Sequence, residues 1–276
     1  MPSTRRTFLK TSLAASAAAT LGSVKLSAAE KSAAAREYYE LRSYRLKPGK
    51  SAEALDRYLA KALIPALNAR GVPAVGVFTE LDVDKPAATS TPKADSPVWV
   101  LIPHASLESF VSVSAALNTD ATVQQAGADY LNAPKASPAF DRVDTWLYVA
   151  FTGFPKLAVP AFSQRRVPTR VFELRDYESH SELKALNKIA MFNAGEIEVM
   201  KDLGMSPVFY GQSLAGPNLP HLRYITGGPD LATHLGNWKK FGPHPIWAKL
   251  KDDPQYKDNT SKNTARFLAP TAYSQI

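Results

Sequence analysis

Tyr39-Glu40-Leu41-Arg42-Ser43-Tyr44 returns 133 residues later as Phe172-Glu173-Leu174-Arg175-Asp176-Tyr177. The same offset carries Gly71 onto Gly204 and Val75 onto Val208. Chance similarity does not hold one register over 37 residues, so the chain reads as a unit used twice. Each copy of the hexamer alternates, as a strand does. One face carries Tyr39 and Leu41, or Phe172 and Leu174. The other carries Glu40, Arg42 and Tyr44, or Glu173, Arg175 and Tyr177.

Working outward, Pro48-Gly49 ends the first strand, and Leu55, Tyr58, Leu59, Ala62 and Leu63 recur at helical spacing. A helix is therefore predicted over 51–69, with a kink or end at Pro65 and a stop at Gly71. A strand over 72–81, an exposed loop over 82–97 and a short strand over 98–102 come next. Ser106 is placed to cap a helix over 107–117, residues 121–132 read as helix, and 140–151 form an aromatic strand. The second copy repeats the order. Ser179 to Glu182 fits a capping box, and Leu183, Leu186, Ile189, Ala190, Ile197, Met200 and Leu203 mark the apolar helix face. Strands are expected over 207–214, 221–226 and 264–273. Asp230 caps a helix ending at Phe241, and another helix begins at Pro245. The order βαββαβ, seen twice, is that of the α+β ferredoxin-like split unit. Domains are drawn at 37–152 and 169–276, joined by a linker over 153–168 that is long enough, at roughly 3 Å per extended residue, to span a domain.

Thr4-Arg5-Arg6-Thr7-Phe8-Leu9-Lys10 follows the twin-arginine export pattern. The Ala/Ser-rich run after it is too short and too polar for a membrane span. Ser27-Ala28-Ala29 sets a cleavage point before Glu30, so residues 1–29 are a signal peptide and the mature protein is periplasmic or otherwise extracytoplasmic. Of the formal charge of +8, Arg5, Arg6, Lys10 and Lys25 supply four, so the mature chain carries about +4, with no long basic run. Nucleic acid is not an expected partner. Cysteine is absent, which excludes disulfides and thiol chemistry. The five histidines form neither H-x-x-x-H nor H-E-x-x-H, so no metal site is expected, and no nucleotide or serine-hydrolase motif occurs.

The ELR-x-Y strand, the glycine stop after the first helix, His221-Leu222-Arg223-Tyr224 and the late Trp247 together resemble the NIPSNAP family. The resemblance covers residues 38–276 as two copies and is stronger in the second, because Val98-Trp99-Val100-Leu101 stands where the other copy has His-Leu-Arg-Tyr. It implies the dimeric α+β barrel arrangement, here closed within one chain by pairing of the two units, with further oligomerisation left open. On that expectation the leucine faces go under the helices, and Glu40, Arg42, Tyr44, Glu173, Arg175 and Tyr177 go to the barrel interior. His221 joins them as a candidate on the third strand. A structural i, i+2 ion pair is the competing reading of each Glu/Arg set. The expected function is binding of a small, partly apolar ligand in the barrel interior. A cofactor-free or haem-dependent oxygenase or isomerase, and a purely structural scaffold, are the alternatives. No cofactor is expected. Haem is what related barrel families bind, and no residue here marks an axial histidine.

Replacing Arg5 and Arg6 together with lysine is expected to leave the precursor in the cytoplasm. Unchanged export of that double variant, tracked by cell fractionation and immunoblotting, would refute the twin-arginine reading.

Overall fold

In the structure, a computed structural model, residues 35–47 and 52–276 are described. The leader, its cleavage point and the turn at Pro48-Gly49 lie outside the described residues. The strands of the first half are β1 (Tyr38–Arg45), β2 (Gly76–Asp84), β3 (Thr89–Pro92), β4 (Val98–His104) and β5 (Arg142–Ala150). Those of the second are β6 (Val171–Glu178), β7 (Phe209–Ala215), β8 (His221–Gly228) and β9 (Lys262–Pro270). The first half is ordered β2-β4-β1-β5 and the second β7-β8-β6-β9, which is the same ferredoxin-like order. Each half leaves two free edges, and the halves satisfy each other. β5 pairs with β7 and β2 with β9, both antiparallel, so eight strands close into a barrel. β3 hangs on the far end of β2 as a ninth strand.

The helices lie outside the barrel. In the first half α1 (Glu53–Tyr58) continues through a π-helical turn (Leu59–Leu63) into α2 (Ile64–Ala69), and α3 (Leu107–Thr119), α4 (Ala121–Ala126) and α5 (Ala128–Leu131) come after β4. The connection between halves holds the short α6 (Ala161–Gln164). In the second half α7 (Glu182–Met191) continues through a π-helical turn (Phe192–Glu196) into α8 (Ile197–Asp202), and α9 (Leu231–Phe241) and α10 (Pro245–Asp252) come after β8. β1 and β6 share the 133-residue offset end to end, and so do the two π turns. Gly71 (φ +83°) and Gly204 (φ +70°) end the two helices in the left-handed region that glycine tolerates best. Among the described residues no helix is long and apolar enough to cross a membrane.

The core forms three layers. One cluster takes Tyr39, Leu41, Phe78, Trp99, Leu101, Trp146 and Tyr148 from the first half and Phe172, Leu174, Phe209, Ile225 and Leu268 from the second. This is the barrel interior, packed by large side chains as an eight-stranded barrel allows. A second cluster lies between the first sheet and its helices, and a third between the second sheet and its helices. The face assignment made from sequence is thus inverted. Tyr39, Leu41, Phe172 and Leu174 point into the barrel, and Glu40, Arg42, Tyr44, Glu173, Arg175 and Tyr177 lie on the outer face under the helices. The physical reason is that both faces of these strands are buried, so alternation defines two faces without saying which is inside. The Tyr/Leu and Phe/Leu faces interdigitate with the same faces of the other half. The Glu-Arg-Tyr faces need polar partners, and side chains beside the helices bring them. Of the candidate residues only His221 is then inside the barrel, beside Tyr148, and the Glu-Arg-Tyr sets lie outside it.

Other departures are local. The stretch predicted as a loop over 82–97 is a hairpin, because β3 pairs with Leu81–Asp84. Ser181, not Ser179, caps α7 by accepting from the Lys184 amide, and the Ser179 hydroxyl donates instead to the Asn259 carbonyl. Leu183 and Leu186 are exposed, and the buried positions of this helix are Ala185, Lys188, Ile189, Met191 and Phe192. The last strand ends at Pro270, not at residue 273.

Because β2, β5, β7 and β9 close each other's edges over a shared interior, residues 169–276 expressed alone are expected to self-associate or aggregate. Size-exclusion chromatography checks this. A soluble monomer that unfolds cooperatively would count against mutual closure of the halves.

Candidate functional site

The two copies can be compared position by position. Tyr39 pairs with Pro103 and Phe172 with Gly227, so the offset is 133 in the first strand of each half and 124 in the third. The difference, nine residues, is the longer β2–β3 hairpin of the first half. In this register Leu55 corresponds to Lys188, Leu63 to Glu196, Val77 to Tyr210 and Val100 to Tyr224. In the first half the layer between sheet and helices is closed by those four apolar side chains with Tyr44 and Tyr58. In the second half the same four positions carry a cation, an acid and two phenols.

Tyr210 of β7 and Tyr224 of β8 lie on the outer face of the sheet, where Lys188 of α7 and Glu196 of the π turn face them, with Tyr177 of β6 alongside. Lys188 Nζ is 2.7 Å from Glu196 Oε2, and both side chains are almost fully buried, at 6% and 2% exposure. The eight-residue spacing faces them because the π turn adds one residue to the two turns separating them. Gly195 within that turn allows the close approach of α10, since a Cβ there would stand 2.6 Å from Ile246 Cγ2. Burial lifts the Glu196 carboxyl above its ordinary value despite the neighbouring Lys188 charge. The Tyr177 and Tyr224 hydroxyls are 2.9 Å apart. Burial raises both phenols, so they are protonated donors at neutral pH.

Beside them, Arg175 Nη1 donates to Glu173 Oε1 at 3.0 Å. The guanidinium lies over the Trp238 ring, 4.4 Å from its centroid. Glu173 also holds His234 Nε2 at 2.9 Å and the Trp238 indole N–H, both from α9. Burial alone would raise the Glu173 carboxyl, but the His234 hydrogen bond and the Arg175 charge outweigh it and hold the group below its ordinary value. Glu40 in the first half is held low in the same way, against its burial, by His104 and Arg42. Arg42 Nε donates to Glu40 at 2.6 Å, and its Nη1 to the Tyr44 hydroxyl at 3.3 Å.

Two cavities meet at Arg175 and Trp238. One, of about 410 Å³, is lined by Tyr177, Lys188, Glu196, Phe241 and Trp247 among others. The other, of about 320 Å³, is bounded by Phe267, Lys239 and Lys85, the last from the hairpin of the first half. Both are of a size that takes a small organic molecule.

The predicted residues therefore fall into three places. Glu173, Arg175 and Tyr177 come together at these cavities. Glu40, Arg42 and Tyr44 form the corresponding set in the other half. His221 is on the opposite face of its strand, inside the barrel, where Nδ1 donates to the Asn218 carbonyl at 3.0 Å and Nε2 is 3.2 Å from the Tyr148 hydroxyl. Burial and then the Arg223 charge lower its pKa, so the ring is neutral. Lys188, Glu196, His234 and Trp238 were not singled out from the sequence. The available signal was Leu55 against Lys188 and Leu63 against Glu196 at the offset of the repeat. Histidine is missing from the lining of both cavities, and His234 is sealed behind Glu173, so the cleft does not offer haem iron an axial histidine. Among the described residues no cluster of three or more metal-ligating side chains occurs.

Residues 172–275 match the family model described as NIPSNAP, and residues 2–22 match that of the twin-arginine translocation pathway signal sequence. The chain thus carries a NIPSNAP domain, in its second half, behind a signal for export. A candidate monooxygenase from Lactobacillus acidophilus has a similar structure, with 6% identity over 85% of this chain and 94% of that one, at a TM-score of 0.50. A candidate monooxygenase from Fusobacterium nucleatum has 9% identity over 86% and 93%, at 0.49. A NIPSNAP-like domain protein from Burkholderia xenovorans has 17% identity over 38% of this chain and 89% of that one, at 0.35. Comparison with curated proteins gives no match. The full-length likeness shows the fold, the two-unit α+β barrel.

Replacing Lys188 alone with leucine leaves Glu196 buried without its partner, and is expected to cost about 3–5 kcal/mol. The double variant Lys188→Leu with Glu196→Leu copies the first half and is expected to recover most of that loss in urea unfolding. A double variant as unstable as the single one would show that the layer cannot be closed by apolar residues.

Proposed function

We propose that this is a periplasmic ligand-binding protein whose site is the cleft between sheet and helices of the second half, centred on Arg175, Tyr177, Lys188 and Glu196. One observation carries the reading. The chain contains its own control, a copy of the same unit that fills the corresponding layer with Leu55, Leu63, Val77 and Val100. A buried Lys–Glu pair is not needed to close this fold, and it is costly to bury. The polar set accompanies cavities, and the cavities carry aromatic walls suited to a partly apolar molecule. The twin-arginine signal supports the extracytoplasmic location.

Catalysis in the same cleft is the second reading. The observation that favours it is the pairing of a raised carboxyl, Glu196, with an ammonium, Lys188, next to the hydroxyl pair Tyr177–Tyr224. Such groups hold and pass protons, as an isomerase or a cofactor-free oxygenase requires. The likeness to a candidate monooxygenase is in keeping with this reading at the level of fold.

Native mass spectrometry of the protein purified from the export compartment tests the proposal. A small molecule is expected on the parent and absent from the folded Lys188→Leu, Glu196→Leu double variant. Retention of the same molecule by the double variant would place the site elsewhere. A Soret band in the visible spectrum of the parent would replace the proposal with the haem-dependent alternative.

A further inference from the structure

We infer that the cleft takes a flat aromatic carboxylate, its acid group received by Arg175 and its ring laid against Trp238 and Trp247. The inference rests on the reading of the cleft as a ligand site and adds the class of ligand. The first observation is charge. Arg175, Lys188, Lys251, Lys239 and Lys85 line the two cavities, against only Glu173 and Glu196. Both acids are already engaged, Glu196 by Lys188 and Glu173 by Arg175, His234 and Trp238. Lys251 stands 3.9 Å from Asp252, so the excess positive charge of the lining comes from Lys239 and Lys85 at the rim of the cavity beside Arg175.

The second observation is an unpartnered donor on the arginine where the two cavities meet. Arg42, the counterpart of Arg175, uses both Nε and Nη1 on Glu40 and Tyr44. Arg175 uses Nη1, and its Nε is shut away from solvent with no hydrogen-bond partner. An orphaned guanidinium N–H is costly, and a carboxylate is the group whose two oxygens match the fork of an arginine. Tyr177, the counterpart of Tyr44, has its hydroxyl 2.9 Å from that of Tyr224, and the Arg175 guanidinium stands 5.6 Å from its ring centroid.

The third observation is the shape of the apolar walls. Trp238 already stacks against the guanidinium plane, and Trp247 and Phe241 continue the aromatic lining beyond it, with ring centroids 4.9 Å apart. These rings touch in series and form one aromatic wall, along which a planar ring can lie while its acid group reaches the guanidinium edge. A neutral apolar molecule would leave the cations unmatched, and a compact inorganic anion would leave the aromatic walls uncovered.

The test uses the mature protein with 2-naphthoate and its uncharged analogue 2-naphthalenemethanol, read by quenching of tryptophan fluorescence and by calorimetry. The acid is expected to bind at least tenfold more tightly than the alcohol. Arg175→Met is expected to abolish that preference, and Arg42→Met to keep it. Arg175→Lys, which retains the charge without the fork, is expected to fall between, and it decides the question should Arg175→Met not fold. Equal affinity of the parent for acid and alcohol overturns the carboxylate assignment and leaves the cleft as a ligand site. Binding of neither probe overturns the aromatic assignment as well. An acid preference that survives in Arg175→Lys and in Arg175→Met alike shows that the acid group is held elsewhere.

Discussion

The fold depends on the closure of four strand edges. A four-stranded ferredoxin-like sheet leaves an edge at each end, with unpaired amides and carbonyls and one apolar face uncovered. Here β5 and β2 of the first half meet β7 and β9 of the second, so each half supplies what the other lacks. Closure also settles the interior. Once the edges are joined, the Tyr39/Leu41 and Phe172/Leu174 faces have only each other to pack against, and they meet in one core.

A duplicated barrel has two layers between sheet and helices, and closure makes the same demand of both. The first is satisfied by burial of leucine and valine. The second satisfies the demand only in part and places a lysine and a glutamate at two of the positions. Burying that pair opposes stability, and the barrel core shared by the halves offsets it. This division gives the second half freedom to diverge. The first half supports it structurally, through the shared core, and locally, because its longer hairpin brings Lys85 to within 5.5 Å of the Phe267 ring at the rim of the second cleft.

The repeat and the order of elements were readable from a constant 133-residue offset and from alternating and helical patterns, and the barrel was expected from the family resemblance. Glu40–Arg42 and Glu173–Arg175 do form the expected pairs. The inside and outside of the strands were not readable. Both faces of β1 and β6 are buried, and the partners that decide the matter, His104 for Glu40 and His234 for Glu173, lie 64 and 61 residues away. The helix face over α7 failed for a related reason. Leu183 and Leu186 continue a 3.6-residue pattern by composition, yet they are exposed, because the π turn shifts the inward register of the residues before it relative to those after it. A constant-period reading cannot accommodate that extra residue.

The π turn also bears on what counts as a functional signal. Such turns are frequent at functional sites, and the second one lies at the cleft. Yet the turn at Leu59–Leu63 occupies the corresponding position in a half whose layer is closed by apolar residues. The turn therefore belongs to the shared architecture, where it brings residues eight apart onto one face, Leu55 with Leu63 and Lys188 with Glu196. The inherited geometry provides a pair of facing positions, and the side chains placed there decide whether the pair closes the core or builds a site. What distinguishes the second half is chemistry at unchanged backbone positions, and the case for a site rests on that difference and not on the turn.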